Sequence, residues 1–419
     1  MRAHRLVWLV CGFAGSAGGC TPGTALTQVR PGIEVVVSDS VRLITGKRLG
    51  LLTNHTGVDR QGRRDVDVLR AAAGVRLSLL FSPEHGFRGT EDRSGLPDET
   101  DSSTGLPIYS LYGGSRTAAR TALDSIDVVL IDLQDIGARY YTYIATATQL
   151  MRAAARAGKR VIVLDRPNPI GGREVQGNVR AQPGDPDSTL VGFLPVAMRH
   201  GMTIGELARM ANEVLAIGAD LVVVPVAGWK RDMLYDKTRL PWVKPSPNMP
   251  DLESALHYPG LCLFEGTNVS VGRGTGFAFQ VLGAPWLDPE AVISRLMQPP
   301  DWRRARGWAL AGVEVTRAVF TPRGPTDGKY DGEELWGLRI HVLDRKTYDP
   351  TKLAVALLAA IRATHPRQLQ FRAERFDGLA AGPELRRALE AGRPAWEIWG
   401  TWEDDLSRFR TARAKYLIY

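Results

Sequence analysis

The stretch DVVLIDLQDIGARYYTYIATATQLMRAAARAGKRVIVLDRPNPIGG, residues 127–172, decides the fold. Residues 128–133 are a short apolar run with β-branched side chains, and residues 161–164 are another. Runs of this kind suit strands buried on both faces of a parallel sheet. Residues 141–157 between them are rich in Ala, Leu, Met and Arg and hold neither Gly nor Pro, which predicts a helix that stops at Gly158. Strand, helix and strand in this order form a βαβ crossover. Polar residues follow each strand: Asp132, Gln134, Asp135, Arg139 and Tyr140 after the first, and Asp165, Arg166 and Asn168 after the second. Open α/β sheets bind ligands outside the carboxyl ends of their strands, so two such clusters on neighbouring strands point to one site. The plainer alternative is strand-end capping and loop ion pairs.

Outward from this unit, residues 48–52 and 75–81 read as two earlier strands, with a helix at 65–73 between them. Thr203 and Glu206 form a capping box for a helix at 204–215, and residues 221–226 supply a fifth strand. Five strands alternating with helices imply an α/β fold, a Rossmann-like and mostly parallel sheet domain over residues 30–245. No G-x-G-x-x-G follows the first strand, which argues against a dinucleotide. Residues 90–107, with Glu91, Asp92, Asp98, Glu99 and Asp101, read as a polar loop. The prolines of residues 241–250 mark a linker. Beyond it, helices at 289–297 and 352–364 and strands at 313–320 and 335–342 indicate a smaller α+β domain, residues 250–419, with the active-site cleft between the two. The glycines at 272, 274 and 276 lack the Lys-Ser/Thr of a phosphate-binding loop.

A chain of 419 residues with 44% hydrophobic and 23% charged residues is long enough for two such cores. The net charge of +8 is mild, and no Lys/Arg stripe or nucleic-acid motif is present. Arg2 and Arg5 precede an apolar run at 6–14, and small residues then lead to Cys20, so residues 1–20 read as an export signal. Ala17-Gly18-Gly19-Cys20 resembles a lipoprotein cleavage box, without the usual Leu three positions before the cysteine. The expectation is an exported periplasmic or extracellular protein anchored by lipid at Cys20, with plain secretion as the alternative. Cleavage there leaves only Cys262, hence no internal disulfide.

Glu84 is the sharpest chemical candidate. It follows an apolar strand and stands between Pro83 and His85, where a carboxyl tends to keep its proton and serve as a general acid. Glu265 ends the apolar run 261–264 in the second domain and is placed to face Glu84 across a cleft. Two opposed carboxylates are the machinery of glycoside hydrolysis. Asp135 and Asp165 compete with Glu265 for the second role. Arg139, Arg166 and Arg273 suit a substrate carboxylate, or else structural ion pairs. Tyr140, Trp229 and Trp242 suit stacking on sugar rings, or else core packing. His55, His85 and His200, with Asp132 or Asp165, are the candidates for a metal, yet no H-x-H or H-E-x-x-H spacing supports one. Neither a metal nor an organic cofactor is expected.

The segments SPEHGFRG (82–89), IDLQDIGARYYTY (131–143), DRPNPIGG (165–172), HGMTIGE (200–206), PSPNMP (245–250) and FEGTNVSVGRGT (264–275) together resemble the exo-β-N-acetylmuramidase family, once catalogued as a domain of unknown function. The resemblance runs over residues 30–419. It implies a Rossmann-like domain, a smaller C-terminal domain and a site in the cleft between them. It also implies removal of N-acetylmuramic acid from the non-reducing ends of peptidoglycan fragments. Glu84 matches the family's catalytic glutamate, and His85, Asp135, Arg139, Tyr140, Asp165, Arg166, Asn168, Glu265, Asn268 and Arg273 fall in its other motif segments. Ala278 stands where the family pattern would have Pro. Muramic acid carries a lactyl carboxylate, which gives the arginines a partner. Two other readings stay open: a cell-wall-fragment binding lipoprotein without catalysis, and a metal-dependent hydrolase acting on the same polymer.

Overall fold

The computed structural model describes residues 28–91, 95–112, 121–298 and 309–419. The export segment, Cys20 and Asp92 lie outside the described residues. Seven strands build the main sheet: β1 (Arg48–Thr53), β2 (Arg76–Ser82), β3 (Glu99–Thr100), β4 (Pro107–Ser110), β5 (Val128–Asp132), β6 (Arg160–Leu164) and, later in the chain, Leu221–Val224. Two short strands, β7 (Gln176–Val179) and β8 (Ala197–Arg199), pair with each other, so Leu221–Val224 is β9. The sheet order is β3-β4-β2-β1-β5-β6-β9, parallel throughout except at the β3 edge. The five contiguous parallel strands β2, β1, β5, β6 and β9 are those expected from their apolar runs. The loop expected at 90–107 instead contributes the edge strand β3 and opens into β4.

Side chains alternate between the two faces of the sheet, as the period of two requires. Val129, Ile131, Val161 and Val163 point to one core, while Val128, Leu130, Ile162 and Leu164 point to the other. The helices Tyr143–Arg156 and Ile204–Val214 cover the first face. The helices Gly32–Ser38 and Asp65–Ala71 cover the second. The capping box is formed: Glu206 N–H donates to Thr203 Oγ1 at 3.3 Å and Thr203 N–H to Glu206 Oε2 at 3.0 Å.

The first core continues into the C-terminal region through Leu261, Leu353, Leu357 and Phe376. There a three-stranded antiparallel sheet, with β10 (Val281–Ala284), β11 (Val313–Phe320) and β12 (Leu335–Val342) in the order β10-β12-β11, packs with the helices Leu252–Leu261 and Pro350–Thr364. The proline segment 241–250 is tied down: Tyr143 Oη donates to Pro245 O at 2.5 Å, and Lys244 O accepts from His55 Nε2 at 2.7 Å. From β1 the chain passes to β2 on one side, and β5 lies on the other, with Thr53 beside Asp132. The carboxyl ends at this reversal are where a doubly wound sheet leaves a crevice.

Candidate active site

The loop after β2 carries Glu84 and is held in a tight shape. His85 has a left-handed φ of 69°, which costs a non-glycine residue energy and is kept only where the surroundings enforce it. Two bonds enforce it here: Glu91 N–H donates to His85 O at 3.2 Å, and His85 Nδ1 lies 2.7 Å from Glu91 O. A carbonyl only accepts, so Nδ1 carries the hydrogen. Gly89, with φ of 70°, lets the loop close on His55, since a Cβ there would lie 1.8 Å from the imidazole.

Glu84 is half-buried, and its Oε2 accepts a hydrogen bond from Thr142 Oγ1, just ahead of the helix Tyr143–Arg156. Glu84 therefore opens onto a cavity of about 550 Å³ walled by both domains. The sheet domain contributes Glu84, His85, Tyr140, Tyr141 and Thr142; the C-terminal domain contributes Tyr258, Glu265, Arg273, Phe279, Asp327, Arg372 and Arg375. Edge-on aromatic contacts, Tyr141 with Tyr258 and Tyr258 with Phe279, make an apolar floor.

Glu265 sits on a 3-10 turn (Cys262–Gly266) that follows directly from the helix Leu252–Leu261. Its Oε1 accepts from Arg273 Nε at 2.8 Å, and its Oε2 from Arg375 Nη2 at 3.0 Å. Burial alone would raise this carboxyl, but the two guanidiniums outweigh it and hold it below the ordinary range. Gly266 lets the helix Ala373–Ala380 approach: a Cβ on it would meet Phe376 Cα at 2.5 Å.

Six residues expected at the site stand away from the cavity wall. Arg139 is buried and spends its guanidinium on Asn178 O (2.8 Å), Asn178 Oδ1 (3.0 Å), Val196 O (3.3 Å) and Leu379 O (2.9 Å). It fastens the C-terminal end of the helix whose N-terminal end brings Arg375 to the cavity. Arg166 closes a buried two-point pair with Asp132. Asp165 accepts from Arg166 N–H, Gly205 N–H, Thr203 Oγ1 and Tyr419 Oη, all within 3.0 Å. Asn168 accepts from Ile170 N–H in its own turn and donates to Met202 O, and Asn268 donates to Gln368 O and accepts from Gln370 N–H. Asp135 is buried behind the wall. Its Oδ1 accepts from Gly137 N–H at 2.7 Å and lies 3.7 Å from His200 Nε2, its Oδ2 has no hydrogen-bond partner among the described residues, and burial pushes its carboxyl up to about 7. The second strand-end cluster is thus capping, with the C-terminal Tyr419 occupying the end of β6. Trp229 packs edge-on against Tyr419 and Trp242 against Tyr235, so neither is offered to a sugar.

The histidines do not gather either. His55 bonds Lys244 O, and His200 accepts from Met202 N–H at 3.1 Å, with burial lowering its imidazole to about 3. Among the described residues, no three His, Cys, Asp or Glu side chains converge to hold a metal ion. Thr142, Arg372, Arg375 and Asp327 reach the wall without having been singled out in the sequence. Thr142 alone had a signal there, as the neighbour of Tyr140 in the turn after β5.

Two sequence models of one family cover the chain: exo-β-N-acetylmuramidase NamZ, N-terminal, over residues 49–253, and NamZ, C-terminal, over residues 256–419. The chain belongs to the NamZ family. The peptidoglycan β-N-acetylmuramidase NamZ of Bacillus subtilis (strain 168) is 38% identical to it over 395 residues, 94% of this chain and 92% of that protein. Two crystal structures of DUF1343 family proteins from Bacteroides fragilis NCTC 9343 match it with TM-scores of 0.82 and 0.72, at 34% and 31% identity. Each match spans 94% of this chain and 99% of the other. The NamZ family models meet near residue 255, inside the helix Leu252–Leu261 that leads to Glu265.

Proposed function

We propose that this NamZ family member is an exo-acting glycoside hydrolase that removes β-1,4-linked N-acetylmuramic acid from the non-reducing ends of peptidoglycan fragments. The observation that carries the reading is Glu84, among the described residues the one carboxylate that the sheet domain puts on the wall of a cavity also lined by the arginines of the C-terminal domain.

Glu84 serves as general acid. With Oε2 bonded to Thr142, Oε1 delivers the proton to the glycosidic oxygen as the bond from that oxygen to the anomeric carbon breaks. Water adds to the anomeric carbon and returns a proton to Glu84, which frees N-acetylmuramic acid. Asp135 is screened from the sugar, and Glu265 is held by two arginines. Glu265 therefore acts as the anchor of Arg273 and Arg375, and the substrate's acetamido oxygen supports the anomeric carbon as charge develops. No metal or organic cofactor takes part in this scheme. The protein is exported and carries lipid at Cys20, a part of the reading that rests on residues 1–20 alone. Intact mass of the mature N-terminus, in the wild type and in Cys20→Ser, tests it.

The decisive assay is release of 4-nitrophenol from its β-N-acetylmuramic acid glycoside, beside the β-N-acetylglucosamine glycoside. Cleavage of the first supports the activity. Cleavage of neither, together with tight binding of the muramic acid sugar, would replace it with a binding role. Activity lost on chelation and restored by Zn²⁺ would replace the scheme with metal-assisted hydrolysis.

A further inference from the structure

Three arginines of the C-terminal domain wall the cavity, and their charges are not equally committed. Arg273 and Arg375 share the Glu265 carboxylate, and Arg273 also reaches Thr326 Oγ1 at 3.2 Å. Arg372 is exposed, and its guanidinium is hydrogen-bonded or ion-paired to none of the described residues. Its backbone is nevertheless fixed. Arg372 N–H donates to Gly266 O at 2.8 Å, and its own carbonyl accepts from Phe376 N–H at 2.8 Å.

Close by is Lys329, a buried ammonium that donates to Phe264 O and Val269 O and lies 3.7 Å from Asp327 Oδ2. Among the described residues, the ion pairs of Arg273, Arg375 and Lys329 go to Glu265 and Asp327 alone, so these two carboxylates stand against four cations. Cations gathered on one wall repel each other and leave room for an anion. An uncommitted guanidinium on a fixed backbone is the group best suited to take a carboxylate through two parallel bonds.

We infer that Arg372 is the specificity-determining residue of the cleft, binding the carboxylate of the substrate's 3-O-lactyl group. The inference rests on the muramidase reading above. It moves the carboxylate-binding role from Arg139 and Arg166, which are buried in structural bonds, and from Arg273, which is paired with Glu265, to a residue the sequence did not mark. N-acetylglucosamine lacks the lactyl group and leaves Arg372 without a partner. The lactyl ether is not at the bond being broken, so its contact is made equally in ground and transition states and shows mainly in KM.

The test pairs two changes, one on each side of the contact. Wild type, Arg372→Ala and Arg372→Lys are assayed with the 4-nitrophenyl β-N-acetylmuramic acid glycoside and with the same glycoside carrying a lactyl amide in place of the acid. Arg372→Ala is expected to lower kcat/KM for the acid by about 10- to 100-fold, mostly through KM, as loss of a charged hydrogen-bonded pair should. For the amide the same substitution should cost far less, and Arg372→Lys should recover part of the loss on the acid. Because the Arg372 side chain bonds none of the described residues, the melting temperature should not move. Equal losses on acid and amide would assign a general structural role and overturn the inference. So would a wild type that cleaves the N-acetylglucosamine glycoside as well as the muramic acid one. A wild type that cleaves no glycoside would instead overturn the muramidase reading itself.

Discussion

The hydroxyl of Thr142 is hydrogen-bonded to Oε2 of Glu84, so the turn after β5 holds the carboxylate that the loop after β2 presents. Glu84→Gln keeps the size of the side chain and removes the proton. It should lower kcat by at least about 10²- to 10⁴-fold, with an unchanged melting temperature. Thr142→Val should cost less, about 10-fold, because the acid remains but its orientation is looser. A fully active Glu84→Gln protein would end the assignment of Glu84 as general acid.

The buried Glu265 carboxylate offsets one of the two positive charges of Arg273 and Arg375, whose side chains are 17% and 53% exposed. Glu265→Gln leaves two guanidiniums without their anion; solvent screens the half-exposed Arg375, so the fold should be destabilised by about 1–3 kcal/mol. As an anchor, Glu265 should retain measurable turnover when substituted, with KM changing more than kcat. A kcat collapse matching that of Glu84→Gln, at unchanged stability, would make Glu265 the second catalytic carboxylate after all.

Gly89 should be replaceable by nothing larger. Gly89→Ala combines a left-handed φ with a Cβ placed 1.8 Å from the His55 ring, so the loop must shift and carry Glu84 with it. Gly62→Ala is the control, with φ of 78° and open space around its Cβ; it should cost only the left-handed strain, about 1–2 kcal/mol. Loss of kcat in Gly89→Ala beyond its loss of stability, against unaltered kcat in Gly62→Ala, is the expected result. Equal behaviour of the two variants would mean that the loop's shape does not position Glu84.

The central strands could be read from the sequence because burial on both faces leaves unbroken apolar runs, as in Val128–Asp132 and Arg160–Leu164. The edge strand Glu99–Thr100 and its neighbour Pro107–Ser110 could not, being two and four residues long, with polar residues that suit a loop equally well. At the site, Glu84, Tyr140, Glu265 and Arg273 stood out because they lie at the ends of apolar runs or beside glycines. Asp165 and Arg166 looked the same in sequence, since a ligand-binding cluster and a capped strand end have one composition. What separates them is Tyr419, which is 254 residues from Asp165 and fills the end of β6. Arg372 and Arg375 carried no local signal at all. Arg372 caps and Arg375 lies within a short helix that is seated at the cleft by Arg139, Asn178 and the close approach of Gly266.

Asp135 carries the remaining distinction between a catalytic and a structural carboxylate. Burial raises its carboxyl from 3.8 to about 7, with the N–H groups of Gly137 and Ile136 opposing. The folded protein thus holds a proton that the unfolded chain has released between pH 4 and pH 7. Its stabilising effect is complete below about pH 4 and is lost as pH rises through 7. Buried His200 and His257, each lowered to about 3 by burial, act in the opposite sense as pH falls below 6.5. His200 Nε2 lies 3.7 Å from Asp135 Oδ1, so the informative quantity is the unfolding free energy of Asp135→Asn minus that of the parent protein, both in a His200→Gln background, where His257 cancels. That difference should rise by roughly 2–4 kcal/mol between pH 4 and pH 8, because the amide never has to bury a charge. Since Asp135 is behind the cavity wall, kcat/KM of the variant should stay within about 10-fold of wild type, a smaller change than loss of a general acid or base gives. A flat difference across this range would mean that the folded state holds no extra proton there, and a collapse of kcat would return Asp135 to the catalytic pair.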